Sequence, residues 1–176
     1  MAQNELITFT NLERVLTEYG NEVKVQYQQN LQVPRYTKGD HPVLTDRIAS
    51  GQLFNSVQFE LDVNGGTYNV VLSLMDYWKY IEYGRTPGKF PPTSKILEWI
   101  RIKPVIPRPS NNGKIPKPQQ LAFLIGRKIA NDGYEGSHEL EEANNDLMKK
   151  YETRIVLALS QDLQGYLQKI VIESGL

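Results

Sequence analysis

Residues 57–74 read VQFELDVNGGTYNVVLSL, in which two segments of alternating apolar and polar residues flank a glycine-containing turn. Such alternation is typical of a strand that buries one of its faces. Asn64-Gly65-Gly66 supplies residues that tolerate the positive φ angles of a tight hairpin turn. The segment therefore predicts an antiparallel β-hairpin over residues 57–74.

Long helical patterns lie on both sides of this hairpin. In residues 10–32 apolar side chains recur at helical spacing, Thr10 and Glu13 have the spacing of a capping box, and Pro34 follows the end. In residues 137–173 apolar side chains recur three, four or seven positions apart, which predicts a helix roughly 50 Å long. The predicted fold class is α+β, with a hairpin-centred sheet packed by a long N-terminal helix and a longer C-terminal helix.

The rest of the chain is predicted as one domain of 176 residues with several shorter elements. Eight of the ten prolines fall between Pro87 and Pro118, so residues 103–117 are expected to form a stiff, extended arm. The expected segments are a loop (34–44), a short helix (45–53), an aromatic helix ending at Gly84 with a loop and a short helix (76–102), the proline-rich arm (103–117) and a helix (118–132).

Composition excludes several protein classes. The chain has no cysteine, so disulfides, thiolate metal sites and cysteine nucleophiles are excluded. The N-terminus lacks the basic and apolar regions of a signal peptide, and the longest apolar run, Ile155–Leu159, is far shorter than the roughly 20 residues of a membrane span. We expect a soluble chain without membrane contact, made in the cytoplasm.

No pattern typical of an active site is present in the sequence. Neither His41 nor His138 has a second ligand at metal-binding spacing. Residues 84–89, GRTPGK, lack the ending of a phosphate-binding loop, and the acidic residues of segment 131–148 do not match a calcium-binding loop. We therefore expect a protein that is not an enzyme, with no catalytic residue, metal or cofactor.

Charge is segregated although the total is neutral. Residues 79–128 hold eleven Lys or Arg and two Glu, a net charge of +9, whereas residues 131–148 hold six acidic residues and no Lys or Arg. Three interpretations stay open: faces that meet within one subunit, faces that meet between neighbouring copies, and a DNA contact. The candidates for a DNA channel or neighbour contact are Lys103, Arg108, Lys114 and Lys117; those for an acidic counter-face are Glu135, Glu139, Glu141 and Glu142.

Aromatic side chains crowd the short helix before Gly84. Four of them fall within seven residues, too many for one stripe of a helix. Either the helix is enclosed within the fold, or one aromatic edge contacts a partner, since Tyr and Trp are enriched at interface hot spots. The interface candidates are Tyr77, Trp78, Tyr80, Tyr83, Arg85 and Pro87.

The order of four short motifs resembles a known family. They are SGQLFNSV (50–57), YWKYIEYGRTP (77–87), FPP (90–92) and WI (99–100). With the first helix before them and the hairpin between the first two, they resemble phage tail-completion and neck proteins, the small components of the head–tail connector. The resemblance covers about residues 10–130 and is greatest to copies from crAss-like phages. The proline-rich arm and the long C-terminal helix exceed a minimal member of that family.

The resemblance implies a structural virion protein of the phage neck and no enzymatic activity. Such a protein forms a homo-oligomeric ring of six or twelve copies between the portal and the tail. It contacts the portal or other neck and tail ring proteins, and DNA passes through it without sequence-specific binding. An alternative, drawn from the residues alone, is a non-enzymatic nucleic-acid-binding module that uses the basic segment 79–128 with aromatic stacking.

Overall fold

The computed structural model describes residues 8–36, 44–103, 105, 107, 109 and 113–174. Helices and small antiparallel sheets are combined, which confirms the predicted α+β class. In chain order the elements are α1 (Thr10–Gln32), β1 (Arg35–Tyr36), β2 (Leu44–Thr45), α2 (Gln52–Ser56), β3 (Gln58–Asn64), β4 (Thr67–Ser73), α3 (Trp78–Glu82), β5 (Gly84–Arg85), α4 (Thr93–Ile102), α5 (Pro118–Asp132), β6 (Tyr134–Glu135) and α6 (Glu139–Ser174).

The predicted hairpin is confirmed as β3 and β4. Asn64 pairs with Thr67, so the turn consists of two glycines, whose φ angles are 57° at Gly65 and 85° at Gly66. Positive φ at both central residues is the requirement of the hairpin turn that matches strand twist. Burial alternates along most of both strands. Two apolar side chains of the hairpin are exposed, Val63 near the turn and Val71 in β4.

The residues cluster into two compact units, and the first holds most of α1, the hairpin and almost all of α6. Its core joins the two helices, and the apolar face of β4 packs against that core. This arrangement is the predicted hairpin sheet packed by two long helices. The core residues are Val15, Tyr19 and Val23 of α1 with Leu147, Tyr151 and Ala158 of α6, together with the partly buried Val70 and Leu72.

The first turn of α1 is capped by a side chain from α6. The Asp162 carboxylate accepts the backbone N–H groups of Asn11 (3.1 Å) and Leu12 (2.9 Å) and the Asn11 side-chain amide (2.7 Å). The predicted capping box is wrong, because the Glu13 N–H donates to the Phe9 carbonyl and Thr10 is already helical. A partner distant in sequence thus satisfies the donors that a helix leaves open at its start.

The second unit comprises residues Leu31–Ser56 and Met75–Glu139. Helices α4 and α5 pack against each other, and Phe90 and Ile96 lie close above Gly126, where a methyl group would meet their side chains. Helix α5 has the predicted bounds and ends before Gly133, whose φ of 66° is favourable only for glycine. The prediction of a single domain remains a prediction.

Two predicted segments differ from the structure. The helix expected over residues 45–53 is wrong: the Asp46 carboxylate accepts the Ile48 N–H in a local turn, Gly51 has a φ of 75°, and α2 begins only at Gln52. In the expected loop 34–44, β1 and β2 pair at its ends, and residues 37–43 lie outside the described part. None of the helices that the structure describes combines the length and apolarity that spanning a membrane requires.

Candidate functional site

The predicted interface segment is bonded along its backbone to residues 133–138 of the same unit. Strand β5 pairs antiparallel with β6, with Gly84 opposite Glu135 and Arg85 opposite Tyr134. A side chain at Gly84 would collide with the backbone of residues 134–136, and one at Gly136 would collide with the Glu82 carbonyl. Only glycine permits this approach of two backbones. We call Gly84, Gly133 and Gly136 the glycine seam.

Further hydrogen bonds join the end of α3 to the two residues that precede α6. The Ser137 N–H and hydroxyl both donate to the Ile81 carbonyl, at 2.8 and 3.0 Å, and the His138 N–H donates to the Glu82 carbonyl at 3.2 Å. The carbonyl groups at the end of a helix otherwise lack partners, so these bonds complete α3. A five-residue helix, too short to be stable alone, is thereby held in place.

The aromatic candidates divide between half-buried and exposed positions. Tyr77 and Trp78 are half-buried, whereas Tyr80 is 45% and Tyr83 is 63% exposed. The rings of Trp78 and Tyr83 lie 5.7 Å apart, and the Tyr83 ring meets His138 edge-on at 6.4 Å. The ammonium group of Lys79 lies 5.6 Å from the centre of the Tyr80 ring. Two tyrosines are therefore presented at the surface, Tyr80 on α3 and Tyr83 directly after it.

The remaining interface candidates shape the loop that follows. The Arg85 guanidinium donates to the Lys89 carbonyl at 2.6 Å, and the Gly88 N–H donates to the Ala130 carbonyl at 2.7 Å. Pro87 is exposed, and a side chain at Gly133 would meet it. Burial raises the pKa of Tyr134, opposite Arg85, and the Arg85 charge offsets part of that rise. The loop after β5 is thus fixed by a hydrogen bond within it, from Arg85 to Lys89, and by a hydrogen bond from Gly88 to Ala130 of α5.

The basic candidates do not form one group. The Lys103 ammonium donates to the Asp46 carbonyl (2.6 Å), the Asp46 carboxylate (2.9 Å) and the Ile48 carbonyl (3.2 Å). These three bonds use all its hydrogens. The hydrogen bond from Lys103 lowers the pKa of Asp46. Lys103 thus fastens a loop, whereas Lys114 and Lys117 are exposed; Arg108 lies outside the described residues.

The acidic candidates also have different environments. Glu139 is fully buried, and its carboxylate forms an ion pair with Arg47 at 3.1 Å. It therefore makes a contact within the subunit and does not contribute to an acidic face at the surface. Burial raises the pKa of the Glu139 carboxyl, and the Arg47 guanidinium counteracts this only in part. Glu135 is exposed in the same unit, while Glu141 and Glu142 are exposed in the first unit.

Sequence reasoning missed Asp46, Arg47 and Gly136, which position this region. Asp46 and Arg47 lie in the segment that was expected to be helical, where single charged residues give no signal of distant partners. Gly136 lies directly before the predicted last helix, and nothing local indicates its contact with residue 82. Their partners lie from 54 to 92 residues away along the chain.

Searches of protein-family models, curated proteins and solved structures found no match to this chain.

Proposed function

We propose that this chain is a structural protein of the phage neck that assembles as a ring between portal and tail and lets DNA pass. The observation that carries the proposal is the presentation of Tyr80 and Tyr83 at the surface of a segment braced by the glycine seam. This segment contains the motif with the closest resemblance to neck and tail-completion proteins. The resemblance supplies the biological assignment, and the geometry supports an assembly role.

Exposed tyrosines on rigid backbone suit a protein interface. Tyrosine contributes a large contact area with few rotatable bonds, so little entropy is lost when a partner covers it. Here the backbone around Tyr83 is already fixed by the Ser137 and His138 hydrogen bonds, so binding would not have to order it. A surface prepared in this way favours docking over catalysis.

A ring requires two different faces on each subunit. In a head-to-tail interface one face meets another, and opposite charges help to choose the pairing. Lys114 and Lys117 are exposed on one segment of the second unit, and Glu135 is exposed on another. Lys103 and Glu139, which bind within the unit, are no longer proposed for this contact. The exposed pair of lysines is the remaining described candidate for a neighbour or for DNA.

The test is the mass of the purified protein by light scattering over a concentration series at low and moderate salt. We expect a closed oligomer of six or more copies that dissociates as salt screens the charged faces. Tyr83→Ala should lower the stability of the oligomer. Tyr36→Ala is the matched control, because Tyr36 is 67% exposed in the same unit but lies outside the aromatic segment.

The nucleic-acid alternative makes a different prediction. A binding module would bind short duplex DNA with a salt slope of about −0.9 for each phosphate contacted. Replacing Arg108, Lys114 and Lys117 together with Gln would then flatten the slope. DNA binding of this kind without assembly would replace the neck proposal, whereas a closed oligomer that loses stability in Tyr83→Ala and has a weak affinity for DNA would support it.

A further inference from the structure

The C-terminal half of α6 carries a second apolar surface that the described residues leave open. Between Val156 and Ile172, nine large apolar side chains are at least 36% exposed. Helix α1 covers α6 only as far as its own first turn, which lies at Asp162. Beyond this point every described residue of α6 is exposed. An apolar surface of this extent on one helix is typical of an interaction site.

Five of these side chains form a continuous stripe. Val156, Leu159, Leu163, Tyr166 and Ile170 alternate at spacings of three and four, which is the repeat of a helix that packs against another helix. The stripe lies about 100° around α6 from the face that packs against α1, since each residue turns the helix by about 100°. We call these five residues the C-terminal stripe. It can be covered without disturbing the core.

We propose that the C-terminal stripe binds the same stripe of a second copy of this chain, as an antiparallel pair of helices. In this pairing Leu163 packs against Tyr166 of the partner subunit, and Leu159 packs against Ile170 of the partner subunit. The contact is two-fold symmetric, so each of these pairs occurs twice. It is therefore distinct from the head-to-tail contacts of a ring and does not depend on the neck proposal.

The charged residues beside the C-terminal stripe favour this alignment of the two helices. Asp162 and Lys169 flank the stripe on one edge, and an antiparallel pair brings equivalent edges together. In the proposed register Asp162 meets Lys169 of the partner subunit, twice. If the partner helix were shifted by one heptad in one direction, Asp162 would face Asp162 of the partner subunit. A shift of one heptad in the other direction would place Lys169 opposite Lys169 of the partner subunit. In a parallel pair of helices neither Asp162 nor Lys169 would have a charged partner. The attraction between unlike charges in the proposed alignment, and the repulsion between like charges in the shifted ones, therefore favour the proposed antiparallel pair.

The role of Asp162 in capping α1 is compatible with this contact. Its carboxylate accepts three hydrogen bonds within the chain, and a carboxylate has about four acceptor positions. Lys169 is exposed on the free part of α6. The ion pair is at the edge of the interface, so it sets orientation more than affinity. The apolar stripe supplies the binding energy, and we expect association that depends on concentration.

Cysteine cross-linking tests the register directly, because the chain has no cysteine of its own. The Leu159→Cys variant is mixed with the Ile170→Cys variant under oxidising conditions. The two variants carry tags of different mass, so that mixed and like pairs can be distinguished. Positions 159 and 170 are eleven residues apart, roughly 16 Å along a helix, so they cannot meet in a parallel pair. A disulfide needs Cα atoms within about 7 Å. We expect the mixed 159–170 disulfide to dominate over disulfides between identical chains.

The matched control uses Gln161→Cys mixed with Gln168→Cys. These positions have the same midpoint along α6 but lie on its opposite side, so they should not cross-link. Light scattering at a salt concentration that dissociates the ring should still show a dimer at high protein concentration, because the stripe is apolar. Lys169→Glu should weaken this dimer, and Gly165→Ala, off the stripe, should leave it intact.

Several results would overturn the proposal. Disulfides formed mainly between identical chains would indicate parallel pairing. Equal cross-linking of the control pair would indicate random collision. If neither the 159–170 disulfide nor a dimer forms, another occupant covers the stripe, such as the first seven residues of the chain or a different protein. Loss of ring assembly alone, with the cross-link retained, would instead count against the neck proposal.

Discussion

The capping of α1 by Asp162 can be tested by replacing this residue with alanine. The carboxylate accepts two backbone N–H groups at 3.1 and 2.9 Å, both in the first turn of the helix. Loss of an N-terminal cap costs about 1 kcal/mol, with a range of roughly 0.5–2 kcal/mol. Because α1 supplies half of the helical core of its unit, this loss is expected to appear in the unfolding of that unit.

The matched control is Asp146→Ala on the same helix. Asp146 is exposed, and its nearest cation, Lys149, lies at 3.8 Å in an exposed pair that contributes little. Both variants gain similar helix propensity and lose one negative charge, so the difference between their free energies of unfolding isolates the cap. We expect Asp162→Ala to be less stable than Asp146→Ala by about 1–2 kcal/mol in urea titrations near pH 6.

The pH dependence gives a second signature. Burial raises the pKa of Asp162, but the N–H groups of Leu12 and Asn11 lower it by more, so it lies below the ordinary value of 3.8. A carboxyl with a lowered pKa in the folded state stabilises fully above its unfolded pKa, and this contribution disappears as pH falls through the folded value. The difference between the two variants should therefore shrink only in strong acid. Equal stabilities near pH 6, or a difference that persists unchanged at pH 2, would refute the capping argument.

Three further substitutions test the second unit, and Gly165→Ala in the first unit serves as a control for the first of them. Gly136→Ala places a methyl group against the Glu82 carbonyl, so we expect a loss of about 3 kcal/mol in thermal unfolding, whereas Gly165→Ala, with open space around it, should add about 1 kcal/mol. Arg47→Met removes the cation beside buried Glu139 and should cost about 3 kcal/mol at pH 7. Because the pKa of Glu139 is already raised by burial, protonation relieves this cost, and the deficit in urea titrations should be smaller at pH 5; an equal deficit at both pH values would contradict this explanation. Lys103→Met should accelerate hydrogen exchange in the loop that its ammonium binds, and unchanged exchange would show that the loop does not need it.

The elements that local chemistry determines were predicted well. The alternation of residues 57–74 and the two glycines of the turn specify the hairpin, because both strands and the turn agree. The bounds of α5 follow from Pro118, which suits a first turn, and Gly133, which suits an end. The long helices were found because each repeats an apolar face over many turns.

The predictions were wrong or incomplete where the local structure depends on residues that are distant in sequence. Nothing near Asp46 reveals that its carboxylate binds both the Ile48 N–H and the Lys103 ammonium, and these bonds replace the expected helix. The pairing of β5 with β6 joins two-residue strands 50 positions apart, too short for any periodic signal. The clustering of aromatic residues did indicate the segment that contains β5, but it gave no sign that β5 pairs with β6.

The charge pattern of the sequence overstates the positive surface of residues 79–128. Lys128 lies 3.7 Å from Asp132, and Lys103 is bound to Asp46. Both acidic residues lie outside residues 79–128, so the net charge of +9 does not include them. The exposed pair with Asp132 is weak, so it reduces the local field without fixing the side chains. A duplex-binding surface gains affinity from several cations that release counterions together. Paired cations contribute less to that release, so the described part of the basic segment offers fewer unpaired cations to a duplex than the sequence alone indicates.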